Sequence, residues 1–235
     1  MKISVCMATY NGALYVKEQI DSILPQLTDD DELLVADDQS VDDTLDILLS
    51  YGSKLTVVAT TKVGGVVANF ERAMSAARGD IVVLSDQDDV WLPRRLDLIR
   101  SEIIDCDLLL LNGSLVDGDL HPLDRTIFEA VGVRHGLLAN LTKNSFVGCC
   151  MAFRRDLAIR AIPFPAGIPW HDWLIGLMAE LHGRVKRLDQ TTILYRRHGA
   201  NHSATSEKSS YSFAKRLWMR IVMLRALVAV MLRRA

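Results

Sequence analysis

The run Ile81-Val82-Val83-Leu84-Ser85-Asp86-Gln87-Asp88-Asp89-Val90-Trp91 decides how this chain is read. Ile81 to Leu84 is a short, continuous apolar stretch, the pattern of a strand buried on both faces. The polar residues Asp86 to Asp89 then stand in a row before Trp91, more than a turn needs. In an open α/β sheet, ligands bind beyond the carboxyl ends of the strands. Carboxylates crowded there repel one another unless a cation or donors compensate. Carboxylate oxygens are hard ligands suited to Mg²⁺ or Mn²⁺. Asp86-x-Asp88 therefore reads as a site for a metal that holds a diphosphate. The D-x-D pair is weak as a motif, and its place after a strand supplies most of its force.

Working outward, strands and helices alternate through the first hundred or so residues. Ile3–Ala8, Leu33–Ala36, Leu55–Ala59 and Leu108–Leu111 have the same buried-strand character as Ile81–Leu84. Between them, Leu14–Leu24 has helical spacing and stops at Pro25. A helix through Leu45, Leu48 and Leu49 ends at Gly52, and Val66–Ala77 is closed by Gly79. Pro93 stands where the first turn of a further helix tolerates it. This alternation predicts an α/β fold with a mostly parallel central sheet flanked by helices. A second acidic pair, Asp37-Asp38, follows the second strand. Beyond Val116 the pattern loosens. Val147–Phe153 reads as a strand, His171–His182 as a helix, and Val185 with Ile193–Tyr195 as a hairpin. Gly199–Ser210 is a polar connection.

Composition narrows the function. The chain has 235 residues, 49% of them hydrophobic, which excludes intrinsic disorder and suits one large domain. Cys6, Cys106, Cys149 and Cys150 show no C-x-x-C spacing, which argues against a zinc site or a disulfide framework and points to a reducing compartment. No secretory signal is expected at the apolar start Ile3–Met7. A G-x-G-x-x-G after the first strand and a G-x-x-x-x-G-K-[ST] are both missing, which disfavours a dinucleotide-binding dehydrogenase and a P-loop NTPase.

The motifs, taken as an ordered set, resemble family 2 glycosyltransferases of the GT-A fold. The set comprises Ser4 to Gly12, Val35-Ala36-Asp37-Asp38-Gln39-Ser40 with Asp43-Thr44, Gly79-Asp80-Ile81-Val82 and Ser85 to Trp91. His171-Asp172-Trp173 and Leu194-Tyr195-Arg196-Arg197-His198-Gly199 extend the likeness to the subgroup described as rhamnosyltransferases. The resemblance covers residues 2 to about 203 and makes 1–207 the expected GT-A catalytic domain.

What the resemblance implies is an inverting transfer of a sugar from a nucleotide-diphosphate donor, dTDP-rhamnose in that subgroup, with Mn²⁺ or Mg²⁺ as cofactor. Thr9, Tyr10 and Asn11 would line the nucleotide pocket, with Asp37 and Asp38 toward the base and Asp86 by the ribose. Asp88 would ligate the metal, and Asp172 would be the general base that takes the acceptor's proton. Trp173, Arg196 and His198 would reach the diphosphate or the acceptor. Where many relatives carry Glu before the basic Asp, this chain has His171, and Val63 stands where many have Asn. A nucleotidyltransferase acting on a sugar phosphate and a non-catalytic sugar-nucleotide-binding partner are the competing readings. The former would want a Gly-rich, basic loop after the first strand, which Tyr10-Asn11-Gly12-Ala13 does not supply.

The near-neutral formal charge of −2 hides an asymmetry. Lys208, Lys215, Arg216, Arg220, Arg225, Arg233 and Arg234 are basic and nothing after Glu207 is acidic, so residues 208–235 are expected to form a basic amphipathic helix. Lys215, Arg216, Arg220, Arg233 and Arg234 fall within an arc of about 140°, with Leu217, Ile221, Leu224 and Val228 opposite. This predicts an interfacial helix on an anionic membrane, placing the enzyme in the cytoplasm, peripheral at the inner face of the cell membrane. There it would meet a saccharide or lipid-linked acceptor. The same helix could instead pack on the domain or on a second copy in a homo-oligomer. An acidic body argues against nucleic acid.

Overall fold

The computed structural model describes residues 1–198 and 211–233. The polar connection expected at Gly199–Ser210 and the basic Arg234 lie outside these residues. One mixed sheet runs in the order β3-β2-β1-β4-β8-β6-β9-β5, with β7 paired to β6. Its first half is parallel: β3 (Thr56–Ala59), β2 (Glu32–Asp37), β1 (Ile3–Thr9) and β4 (Ile81–Ser85). β1, β2 and β4 are buried almost throughout, which is why their sequences read as unbroken apolar runs. Their helices α1 (Val16–Ile23), α2 (Thr44–Ser50) and α3 (Val66–Ser75) cover the sheet. Phe70, Ala73 and Met74 of α3 join Val16, Ile20 and Ile23 of α1 in a continuous core.

The second half is built differently. β8 (Met151–Arg154) runs antiparallel to both β4 and β6 (Leu108–Val116). β9 is a single strand, Val185–Arg196, parallel to β6, and not the expected hairpin. Its register slips around Asn112, whose side-chain amide donates to Asp189 at 2.6 Å. That slip accommodates the polar Asp189-Gln190 break which makes the sequence look like two strands. β5 (Val90–Trp91) pairs with the end of β9, so the acidic run is anchored to the last strand of the sheet. Val147–Phe153 divides into a short 3₁₀ turn, Gly148–Cys150, and β8. The loosely patterned region beyond Val116 holds β7 (Pro122–Thr126) and two short helices, α5 (Ile127–Val131) and α6 (Leu137–Thr142). Outside the sheet lie α4 (Arg95–Glu102), α7 (Arg155–Ala161), α8 (His171–His182) and α9 (Phe213–Leu232).

Candidate active site

The ends of β1, β2 and β4 converge on one rim. The loop after β1 is tied to the acidic run by Gln87, whose side-chain oxygen accepts from Tyr10 N at 2.9 Å and whose amide donates to Tyr10 O at 3.1 Å. A Cβ at Gly12 would meet the Gln87 carboxamide at 2.3 Å, so glycine there leaves that side chain room for both bonds. Tyr10 and Asn11 are exposed on this loop. Asn11 accepts from Val41 N at 2.9 Å, pinning the loop after β2. Of the other residues expected at the nucleotide pocket, Thr9 and Asp37 are buried against each other. The Thr9 hydroxyl donates to Asp37 at 2.8 Å, and Ser40 donates to the same carboxylate through its N–H at 2.8 Å and its hydroxyl at 2.6 Å.

Asp38 is also held by its own chain. Its carboxylate accepts from the backbone N–H groups of Val63, Gly64 at 3.1 Å and Gly65 at 3.0 Å. Burial pushes its pKa up, but these donors outweigh burial and hold the carboxyl below the usual range. Gly64 and Gly65 have φ of +75° and +141°, which lets successive N–H groups face one acceptor. Asn69 completes the frame by donating to Ala36 O at 2.8 Å and Thr9 O at 3.1 Å.

In the second acidic set, Asp86 and Asp89 each have other carboxylates close by. Asp86 lies with Asp88 and Asp172 close enough for their charges to act on it. Burial first, then those two carboxylates, raise its pKa to about 7. Asp89 is fully buried and is raised well above the usual value by burial and by its two neighbours. One oxygen of Asp89 accepts from Arg196 N at 3.1 Å, and the other has no hydrogen-bond partner. The Cys149 thiol approaches both Asp86 and Asp89. His198 places Nε2 at 2.9 Å from the Asp88 carboxylate, and its ring lies against Tyr15 at 4.7 Å.

Asp172 enters from the start of α8. One carboxylate oxygen accepts from Trp173 N at 2.6 Å and the other from Gly148 N at 3.1 Å. Burial raises its pKa to about 7, and these backbone donors oppose the rise. His171 beside it is buried, stacked on Phe70 at 4.3 Å, with no hydrogen-bond partner on either ring nitrogen. Burial lowers its pKa to about 3, so it is neutral.

The structure gives two expected contact residues different places. Trp173 is 3% exposed and donates its indole N–H to Asn140 O at 2.8 Å, so it packs in the core and offers no face to a sugar. Arg196, also 3% exposed, donates to Asp88 O at 2.9 Å, to Gly118 O and to Glu18, and lies over Tyr15 at 4.6 Å. It ties β9 to the acidic loop from behind. Gln87, Tyr15, Glu18 and Gly148 were not singled out from sequence. For Gly148 the sequence held a faint signal, a glycine inside the run Val147–Phe153 that reads as a strand, where a glycine marks a bulge or a close backbone approach.

Asp86, Asp89 and Cys149 form the group at this rim whose ligand atoms lie within 4.8 Å of one another, and Asp88, paired with His198, acts on both carboxylates. The donor set fits a divalent cation: hard carboxylate oxygens that repel one another, with an imidazole nitrogen beside Asp88. Clustered acids beyond the carboxyl ends of the parallel strands, with the Asp172 carboxylate near them, mark the edge where an α/β sheet binds its ligand. The model for "Glycosyl transferase family 2" matches residues 4–160, and the chain belongs to that family. Among its relatives, an uncharacterised glycosyltransferase of Nostoc is 28% identical, covering 91% of this chain and 72% of that protein. The dTDP-rhamnosyl transferase RfbG of Shigella flexneri is 27% identical over 91% of this chain and 81% of its own. Staphylococcus aureus TarS, solved with UDP-GlcNAc, shares the fold with a TM-score of 0.73 at 24% identity; the likeness covers 95% of this chain and 66% of that one. The mannosyltransferase PcManGT of Pyrobaculum calidifontis, solved with GDP-Man and Mn²⁺, gives 0.62 at 21% identity, covering 98% of this chain and 64% of that one.

Proposed function

We propose that this glycosyltransferase moves a sugar, with inversion, from a nucleoside-diphosphate donor to a saccharide or lipid-linked acceptor in the building of cell-surface polysaccharide. The observation that carries the reading is the half-buried Asp172 carboxylate close enough to Asp86 for their charges to interact, with the Asp88–His198 pair on the same acidic run. Tyr10 and Asn11 would flank the nucleotide, while Thr9, Asp37 and Asp38 set the shape of its pocket. Asp86 would lie by the ribose. Asp88 and His198 would hold Mn²⁺ or Mg²⁺, which offsets charge on the diphosphate. Asp172 would accept the proton of the acceptor hydroxyl as its oxygen bonds to the anomeric carbon and the bond to the diphosphate breaks. Gly148 N–H and Trp173 N–H fix the direction of that carboxylate.

The likeness to RfbG, named a dTDP-rhamnosyl transferase, supports rhamnose as the sugar. The likeness to the teichuronic acid biosynthesis glycosyltransferase TuaG of Bacillus subtilis, 28% identical over 63% of this chain, supports a polysaccharide acceptor. Among the described residues no helix is long and apolar enough to cross a membrane. We place the enzyme at the cytoplasmic face of the cell membrane on the strength of its basic α9. A panel of nucleotide sugars with Mn²⁺ or Mg²⁺, read by release of nucleoside diphosphate, tests the reaction. Release from dTDP-rhamnose above all others is expected. Release of pyrophosphate from a nucleoside triphosphate and a sugar phosphate instead would make the chain a nucleotidyltransferase and overturn the proposal.

A further inference from the structure

Helix α9 is apolar on two faces. Met223, Ala226, Leu227 and Val230 are buried toward the body, where Val230 sits by Met178 and His182 of α8. Leu217, Ile221, Leu224 and Val228 lie on another face and are exposed, while Met231, also exposed, borders the cleft beside Met178 and His182. The side of the helix expected to be basic thus carries the residues that pack on the body, and the apolar stripe expected opposite it is exposed. Exposed side chains alternating four and three apart form one straight stripe along a helix. Near its amino end stand two large aromatics, Phe213 at 74% exposure and Trp218 at 54%.

Charge says what covers the stripe. On a helical wheel Arg220, which donates to Thr142 O of the body, borders one edge and Arg225 the other, and no residue from 211 to 233 is acidic. Four-three spacing also suits a coiled-coil seam between two copies. In such a pair Arg220 and Arg225 would flank the seam on both helices and meet only like charge. Nucleic acid would answer the charge and leave the aliphatic stripe in water. An anionic bilayer answers both: apolar side chains enter the acyl boundary, while Arg225 reaches up to the headgroups and Trp218 sits between.

We propose that the outward face of α9 inserts into the surface of an anionic phospholipid bilayer and holds the transferase there. This rests on the reading that the acceptor is presented at a membrane, yet lipid binding is measurable with neither donor nor acceptor. The test is flotation of the whole chain with vesicles of phosphatidylcholine, alone or with about one third phosphatidylglycerol. The chain should float with the anionic vesicles and stay behind with the neutral ones. Ile221→Glu with Leu224→Glu should lower binding more than tenfold, and Arg225→Gln about fivefold. The melting temperature and nucleoside diphosphate release with a soluble acceptor should not change in either variant. Arg225→Gln is a surface change, so it keeps the test valid if the double variant misfolds. Failure to float, or equal binding to neutral vesicles, would overturn the proposal. A wild-type dimer by light scattering that Ile221→Glu makes monomeric, without vesicle binding, would assign the stripe to a second copy instead. Lipid binding by a chain that releases no nucleoside diphosphate would leave this inference standing and remove the transfer reaction.

Discussion

Asp37-Asp38 and Asp86-x-Asp88 occupy the same kind of place, at the carboxyl ends of β2 and β4, the two parallel strands that flank β1, yet their surroundings are opposite. Around the first pair the chain supplies donors: Thr9 and Ser40 to Asp37, and Val63 to Gly65 to Asp38. Around the second it supplies more carboxylates, Asp89 and Asp172, together with the imidazole of His198. Hydrogen bonds hold Asp38 below its ordinary pKa, while burial and like charge raise Asp86 to about 7. A carboxylate cluster at the binding edge is structural where its own fold satisfies it. Where the fold leaves it crowded, compensation falls to a ligand.

The largest effect that sharpens this contrast is chemical. Asp172→Asn should cut nucleoside diphosphate release about 10²- to 10⁴-fold, the range for losing a general base, and leave the melting temperature unlowered. In the unsubstituted enzyme the same group sets the pH profile. It must be ionised to take a proton and its pKa is about 7, so kcat/KM should fall about tenfold per unit below that pH and level off above it. Next, Asp38→Ala would leave backbone N–H groups without an acceptor and should cost about 2–3 kcal/mol, or about 4–12 °C in melting temperature. Asp38→Asn should recover part of this. A purely nucleotide-contacting Asp38 would instead leave the melting temperature unchanged.

The smallest effect runs the other way. The folded pKa of Asp86 is raised from 3.8 to about 7. Stability from its neutral form is therefore present below pH 4 and is lost as pH rises through 7. Asp86→Asn should raise the metal-free melting temperature by about 2–4 °C at pH 8, with no change at pH 4, even as it impairs turnover. A drop at pH 8 would mean that the crowding does not strain the fold.

The parallel half was legible because strands buried on both faces write themselves as continuous apolar runs, as in β1 and β4. β7 was not, since Pro122 to Asp124 and Arg125 are exposed and only pairing with β6 makes them a strand. Trp173 looked available beside Asp172. The burial of Trp173 to Ala179 along α8 makes it core, and an almost wholly apolar helix hides which side faces the site. Arg196 carried no signal separating a phosphate contact from a buried tie, because its partners Glu18 and Gly118 come from distant segments.

Central to this account is the claim that Asp88, with His198, holds a divalent cation that Asp37 and Asp38 do not. Thermal unfolding with and without Mn²⁺, in the presence of nucleoside diphosphate, measures it directly. Wild type and Asp38→Asn should each gain several degrees on adding Mn²⁺, whereas Asp88→Ala should gain nothing. A Mn²⁺-dependent gain retained in Asp88→Ala but lost in Asp38→Asn would contradict the assignment.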